Sequence, residues 1–398
     1  MPEQKIEYRK ITPEEKLHLA RLQGFVFSFD PNEKEIREKI EKGAYDSSNT
    51  YGAVDENGTL LAGMEVIPYT MWFDGQTVPM YGIGGVASVP EARRQGNIRK
   101  IFEKVFADIY EKGAVFSHLY PFSYDYYRRF GYEQCGAANR YTLLTAPARA
   151  LPNTGTAHEF GKDSPVRNDL IAVYEAFAAR HNTMLSRTEK RWDEVFDMPL
   201  FGPTRLYYWQ DAAGAIKAWV KFAKKDETME INDIAWTDHD SMLGILQFMG
   251  MFDGAAPKIA LTASPELIPQ LYWNDLYEIK TDSTAWLGMN RVINAQRALE
   301  LMKKPDEAGA FTIAVTDGFA AWNNHTYRVQ YDENACSVAE ADGVQADIAV
   351  SERALMLLVL GVYPLEQIAL RSDVQMSGNQ ALLAKVFPAK KLLIADYF

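Results

Sequence analysis

The stretch Tyr81–Gly113, YGIGGVASVPEARRQGNIRKIFEKVFADIYEKG, decides how the rest of the chain is read. Ile83–Val89 is small and β-branched enough for a buried strand. Pro90–Gly96 is polar and basic, and beyond it Ile98, Ile101, Phe102, Val105, Phe106 and Ile109 recur on one helical face. Strand, basic glycine-bearing turn and amphipathic helix together suit a phosphate, because the first helical turn has unpaired N–H groups and a positive dipole end. Arg93 and Arg94 add charged donors, and Gly96 lets the backbone approach with no side chain in the way. No Gly-Lys-Ser/Thr follows, which argues against a nucleotide-hydrolysing P-loop. Gly82, Gly84 and Gly85 lie before the strand core and do not open the helix, so this is not the dinucleotide fingerprint.

Composition narrows the class. A chain of 398 residues has room for two to three domains, at roughly 150 residues each. The start, MPEQKIEYRK, has no apolar signal core, and Ala354–Val362, the longest apolar run, is about half the ~20 residues of a membrane span. Cys135 and Cys336 stand far apart and suggest no disulfide framework, which fits a reducing cytoplasm. The six histidines have no i,i+4 pair and no cysteine partner, so no metal site is expected. A net charge of −11 argues against a nucleic-acid partner and is compatible with a cationic substrate.

Outward from the central stretch, Ile6–Ile11 reads as a strand and Thr12-Pro13-Glu14-Glu15 as a capping box opening a helix. Phe27–Pro31 breaks that helix, and a polar helix follows at Asn32–Lys42. Tyr51–Asp55, Leu60–Tyr69 and Val78–Val89 read as strands, Ala114–Leu119 as another, and Arg140–Thr145 as a closing strand. Ala146–Thr156 reads as a linker. The pattern then restarts: a helix at Val166–Arg180, a capping box at Ser186–Glu189, and strands at Thr204–Trp209, Ile216–Ala223 and Thr228–Trp236. A helix at Ser241–Met251, a strand at Lys258–Thr262 and a helix capped by Ser264-Pro265 complete it. Thr237-Asp238-His239-Asp240 stands where the basic loop would be, and its carboxylates would repel a pyrophosphate. A third unit has a helix at Asn290–Met302, strands at Phe311–Thr316, Ala320–Asn323, Tyr327–Tyr331 and Asp347–Val350, and a helix at Glu352–Leu360.

The order of elements in the first ~150 residues, with Arg93-Arg94-Gln95-Gly96-Asn97-Ile98 after a strand, resembles the GNAT acyltransferases and their acetyl-CoA loop. Tyr127-Arg128-Arg129-Phe130-Gly131-Tyr132 is similar to the Eis (enhanced intracellular survival) branch, which also carries an aliphatic residue at the position of Ile98. The resemblance implies an α+β (mixed α/β) fold class: tandem GNAT folds followed by a sterol-carrier-protein-like α+β domain. The units it implies are 1–150 (catalytic), 151–285 (a degenerate copy without CoA) and 286–398 (sterol-carrier-protein-like). It further implies acetyl-CoA as co-substrate, a homohexamer, Tyr127 as general acid and the carboxylate of Phe398 as general base.

In that scheme the splayed strand Val86, Ala87 and Ser88 would hold the pantetheine arm, and Arg93, Arg94, Gly96, Asn97 and Ile98 the pyrophosphate. A phenol of pKa about 10 is close enough to a thiol of about 8.5 to protonate a leaving thiolate. Phe25, Phe29, Asp30, Asp125 and Asp396 are candidate contacts to an amine acceptor: an aminoglycoside, a polyamine or a lysine. Each assignment has a plainer rival. Tyr127 lies in an aromatic run and suits a core; Phe398 would ordinarily be read as a frayed terminus; Phe25 and Phe29 would also serve to close the helix on the sheet. A non-catalytic CoA- or lipid-binding protein is the alternative from another class, and an acetyltransferase for protein N-termini or lysines is a third reading.

Overall fold

A computed structural model of the chain describes residues 5–161, 164–198 and 201–397, the side chains of 283–285 excepted. The first half contains β1 (Ile6–Lys10), α1 (Pro13–Phe27), α2 (Glu33–Glu41), β2 (Thr50–Asp55), β3 (Leu60–Phe73), β4 (Gln76–Ser88), α3 (Asn97–Glu111), β5 (Phe116–Leu119), α4 (Tyr124–Arg128), β6 (Glu133–Gln134) and β7 (Ala137–Leu144). The capping box forms as read: the Glu15 N–H donates to the Thr12 hydroxyl, and the Glu15 carboxylate accepts from the Thr12 N–H at 2.8 Å. Ser28, left-handed at φ 58, ends α1. β1 to β4 form an antiparallel meander, and β4 then runs parallel to β5. A parallel pair needs a crossover, which α3 supplies. Its apolar face, Ile98, Ile101, Phe102, Val105, Phe106 and Ile109, packs with Met64, Val66, Ile83 and Leu119 in one core cluster.

The second sheet repeats this design. Thr228–Trp236 runs parallel to Lys258–Thr262, with the helix His239–Gly250 between them. The two sheets then exchange strands. β7 leaves the first sheet and pairs with Lys258–Thr262 in the second, while Met289–Val292 returns to lie between β5 and β6 in the first. Arg140–Thr145, expected to close the first sheet, therefore closes the second. Asn290–Val292, expected to open a helix, is strand, and the helix proper is Ala295–Leu301 under an Asn294 cap. All of Met289–Val292 is buried, and a short buried run carries no period that separates strand from helix.

Three local readings also change. Thr188, not Ser186, caps the helix Glu189–Phe196, because Ser186 is paired with Thr70 of β3. The segment after Ser264-Pro265 forms only a 3-10 turn at Pro269–Leu271, and Ala321–Asn323 is a 3-10 turn instead of a strand. The expected linker contains the helical turn Thr145–Ala148 and enters the second sheet at Thr156.

A five-stranded sheet makes the third layer, with strand Cys336–Glu340, unanticipated from sequence, at one edge. The helix Glu352–Leu360 is buried from Ala354 to Leu360, which makes it the centre of this unit. The joint to the first sheet is a buried ion pair: Arg291 donates to both Asp317 oxygens at 2.7 and 2.8 Å, with side chains 0% and 1% exposed. The same guanidinium donates to the Phe130 carbonyl at 2.8 Å. Gly131 is obligatory there, since its φ is +78 and a Cβ would sit 1.5 Å from Arg291 Nη1.

Candidate active site

The site is built where β4 and β5 part. Their parallel ladder ends at Ile83↔Leu119, and Gly84–Ser88 continues along β3 with its other edge facing the gap. A bulge increases the divergence: Gly63 pairs with Ala87 but Glu65 with Gly84, so Met64 stands opposite both Gly85 and Val86. Gly85 has φ +57, and a Cβ there would lie 2.0 Å from Gln23 Nε2. Gln23, buried on α1, donates to the Gly85 carbonyl at 2.9 Å and holds the bulge in place. Its role was not legible in sequence, since nothing local distinguishes this glutamine. Val86, Ala87 and Ser88 thus lie on an open strand edge whose backbone groups can receive an amide-bearing arm.

At the strand's end, Arg94 (φ 64) and Gly96 (φ 84) are both left-handed, and Gly96 caps α3 without any side-chain hydrogen bond. A Cβ on Gly96 would meet nothing within 4 Å, so the approach to the helix start is open. Arg93 and Arg94 are exposed and form no ion pair among the described residues. Two guanidiniums with no acidic partner among the described residues, beside a helix start with no side-chain cap, have the chemistry to hold a diphosphate. Asn97 contributes its backbone only: its side chain is buried, accepting from the Tyr8 hydroxyl at 3.0 Å and donating to the Ala92 carbonyl at 3.4 Å. Ile98 likewise turns its side chain into the core. The corresponding helix start in the second half is closed, because the Asp238 side chain accepts from the Ser241 N–H in a capping box and Asp240 adds a negative charge.

Tyr127 sits on α4, just after β5. Its ring is packed against Phe122 at 5.4 Å, Tyr126 at 5.2 Å and Phe102 at 6.4 Å. Its hydroxyl makes no hydrogen bond among the described residues, whereas the Tyr132 hydroxyl is engaged with Ser117 at 2.7 Å. Burial raises the Tyr127 phenol well above its ordinary range, with a smaller push from Tyr126, so it holds its proton at neutral pH.

Phe25, Phe29 and Asp30 come together. They line a groove of about 1090 Å³ between α1 and α2, beside Gly24 and next in sequence to the Gln23 that holds the bulge. Phe25 is 74% exposed and Phe29 50%, an open aromatic surface at the groove and not a closure of the helix onto the sheet. The groove is mixed in charge, with His18 and Arg21 alongside Asp30 and with Glu33 paired to Arg37 at 2.7 Å. Asp125 and Asp396 are elsewhere. Asp125 is exposed and pairs with Arg129 at 3.1 Å. Asp396 is buried, with its carboxylate taken by Arg187 at 3.0 Å and Arg191 at 3.1 Å, so it anchors the chain and has no charge to offer an acceptor. Phe398 lies outside the described residues. The segment before it does reach the site: the Tyr120 hydroxyl donates to the Asp396 carbonyl at 2.8 Å, and Tyr397 packs on Tyr120 at 4.7 Å. Half-buried His325 and exposed Glu340 and Asp342 cluster beside the third sheet, with His325 Nδ1 2.9 Å from Asp342.

Residues 7–135 match the acetyltransferase (GNAT) domain, and residues 292–394 match the sterol carrier protein domain. No curated protein matches the chain. Several solved structures share the fold over its length. A probable N-acyltransferase from Enterococcus faecalis V583 has 21% identity and TM-score 0.84, covering 99% of this chain and 100% of its own. A GCN5-related N-acetyltransferase from Anabaena variabilis has 18% and 0.84 at the same coverage. Eis1 from Mycobacterium abscessus has 18% and 0.80, again covering 99% and 100%. At these identities the likeness is one of fold. The parted strands and the open helix start lie within the matched domain, so the chain carries an acetyltransferase (GNAT) domain and is an enzyme by that domain. With a sterol carrier protein domain after it and the fold of Eis1 throughout, its architecture is Eis-like.

Proposed function

We propose that the chain transfers acetyl from acetyl-CoA to a primary amine, with Tyr127 as general acid. The observation that carries this is the Tyr127 hydroxyl, protonated and without a hydrogen-bond partner among the described residues, on an aromatic-walled helix directly after the strand that parts from β4. The residues at the site fit acetyl-CoA: an open helix start, two unpaired arginines and an open strand edge. Bound there, it supplies the acetyl group as a thioester. Arg93, Arg94 and the backbone of Gly96–Ile98 hold its diphosphate, and the Val86–Ser88 edge orients its arm and polarises the carbonyl. Tyr127 gives its proton to the departing sulfur. Burial raises the proton affinity of a thiolate held beside the phenol as well, so it does not by itself widen the gap between the two groups.

Asp30 receives the acceptor's cationic group and Phe25 and Phe29 its apolar part, within a cationic-amine class that includes aminoglycosides, polyamines and lysine. The base is assigned to the carboxylate of Phe398; the placement of Asp396 and Tyr397 at Tyr120 supports it. The units 1–150, 151–285 and 286–398 divide the labour, the second having its helix start closed by Asp238. A cytoplasmic hexamer is the assembly we assign. Among the described residues no helix is long and apolar enough to cross a membrane.

The test is thiol release from acetyl-CoA with an aminoglycoside, spermidine and a lysine peptide. Tyr127→Phe is expected to lower kcat by about a hundredfold, the lower end for a general acid, and to leave acetyl-CoA binding within about twofold. Near-normal turnover in this variant sinks the assignment.

A further inference from the structure

The second half closes its own helix start, yet it buries an arginine whose partners lead back to the first site. Arg187, with a side chain 2% exposed, donates from Nε to both Asp396 oxygens at 3.1 and 3.0 Å and pairs through Nη1 with Asp233 at 2.6 Å. It lies over the Tyr174 ring at 4.0 Å, and the Tyr174 hydroxyl donates to Asp396 at 3.2 Å. Arg191 adds a further contact to the same carboxylate at 3.1 Å. Asp396 is thus gripped by two guanidiniums and a phenol, while its carbonyl accepts from Tyr120. Tyr120 is the residue after Leu119, where β5 parts from β4.

We infer that Arg187 is a positioning residue for acetyl transfer, setting the place of Asp396 and Tyr397 at the mouth of the parted strands. This rests on the reading of that mouth as the acetyl-transfer site. A buried ion pair is about as stable as a well-packed apolar replacement, so stability alone does not explain one here; a fixed position for the segment does. The segment is held at a second point. Leu392 bridges to Asn182, the Asn182 N–H donates to the Lys391 carbonyl at 2.8 Å, and Lys390 pairs with Asp74 at 2.6 Å. Asp396 is the clamp nearest the site.

The test uses the full chain carrying Asp396→Asn, which leaves Arg187 paired with Asp233 and strands no buried charge, and Tyr120→Phe as a second, milder release. Three quantities are read: the denaturation midpoint, acetyl-CoA affinity, and amide hydrogen exchange over residues 394–397, with kcat measured beside them. The expected result for Asp396→Asn is a midpoint near wild type, affinity within about twofold, exchange at least about tenfold faster and kcat at least about tenfold lower. Tyr120→Phe should move exchange and kcat in the same directions. Wild-type exchange or wild-type kcat in Asp396→Asn overturns the inference. If the wild-type chain acetylates no amine, the acetyl-transfer reading fails, and exchange alone then decides whether Arg187 and Asp396 hold the segment.

Discussion

Replacing Gly85 by alanine tests the bulge on which the site depends. The position has φ +57, where a Cβ costs about 1 kcal/mol. That Cβ would lie 2.0 Å from Gln23 Nε2, so the glutamine must withdraw and abandon the Gly85 carbonyl. An unsatisfied buried amide adds about 1–3 kcal/mol. The sum is about 2–4 kcal/mol, and it has two places to appear. If the bulge persists, the whole chain is destabilised by that amount. If the bulge flattens into a regular ladder, the backbone of Val86–Ser88 shifts, and restoring it on binding weakens acetyl-CoA by about 30-fold or more. Gly84 next to it is the internal control: its φ is not positive, and its Cβ would approach nothing nearer than Ile67 Cδ1 at 3.9 Å. Denaturant unfolding and calorimetric titration of acetyl-CoA, run on both variants, read the two outcomes. A Gly85→Ala chain matching Gly84→Ala in both stability and affinity would refute the reasoning.

Further outcomes follow from the same geometry. Arg93→Gln with Arg94→Gln should weaken acetyl-CoA by about 10- to 30-fold, at about 1 kcal/mol per exposed charge, and flatten the salt dependence of binding measured by titration. Asp317→Asn strands the Arg291 charge, so denaturant unfolding should show a loss of about 3–5 kcal/mol; wild-type stability would remove the pair as the joint of the third unit. His118 and His181 are driven down to about 3 and about 4, in each case first by burial. Folding is then favoured above the unfolded histidine pKa of about 6.5, and that contribution is lost as pH falls toward the folded values. Each costs about 2 kcal/mol by pH 5, and His181→Gln should remove its share from the pH dependence of unfolding.

Much of the fold was legible because local physics wrote it. The Thr12–Glu15 box and the Ile98–Ile109 face each act within a few residues, and both appear where read. Asp74 shows the limit of that reading. It is a turn residue, but its carboxylate also pairs with Lys390 and accepts from the Lys303 N–H at 2.7 Å, contacts no local pattern encodes. The candidate site divides in the same way. Arg93, Arg94 and Gly96 were visible from their order after a strand, whereas Gln23 became visible only once α1 lay against β4.

The sequence by itself determined the central strand–loop–helix and the repeat of that design, because periodicity, caps and turn chemistry are short-range. Tertiary structure alone decided which sheet receives β7 and Met289–Val292, which face of α1 opens the groove, and that Asp396 serves as an anchor. The strand exchange and the anchor depend on partners more than a hundred residues apart in the chain, and the set of α1 depends on the β4 bulge it meets through Gln23, so no local pattern encodes them.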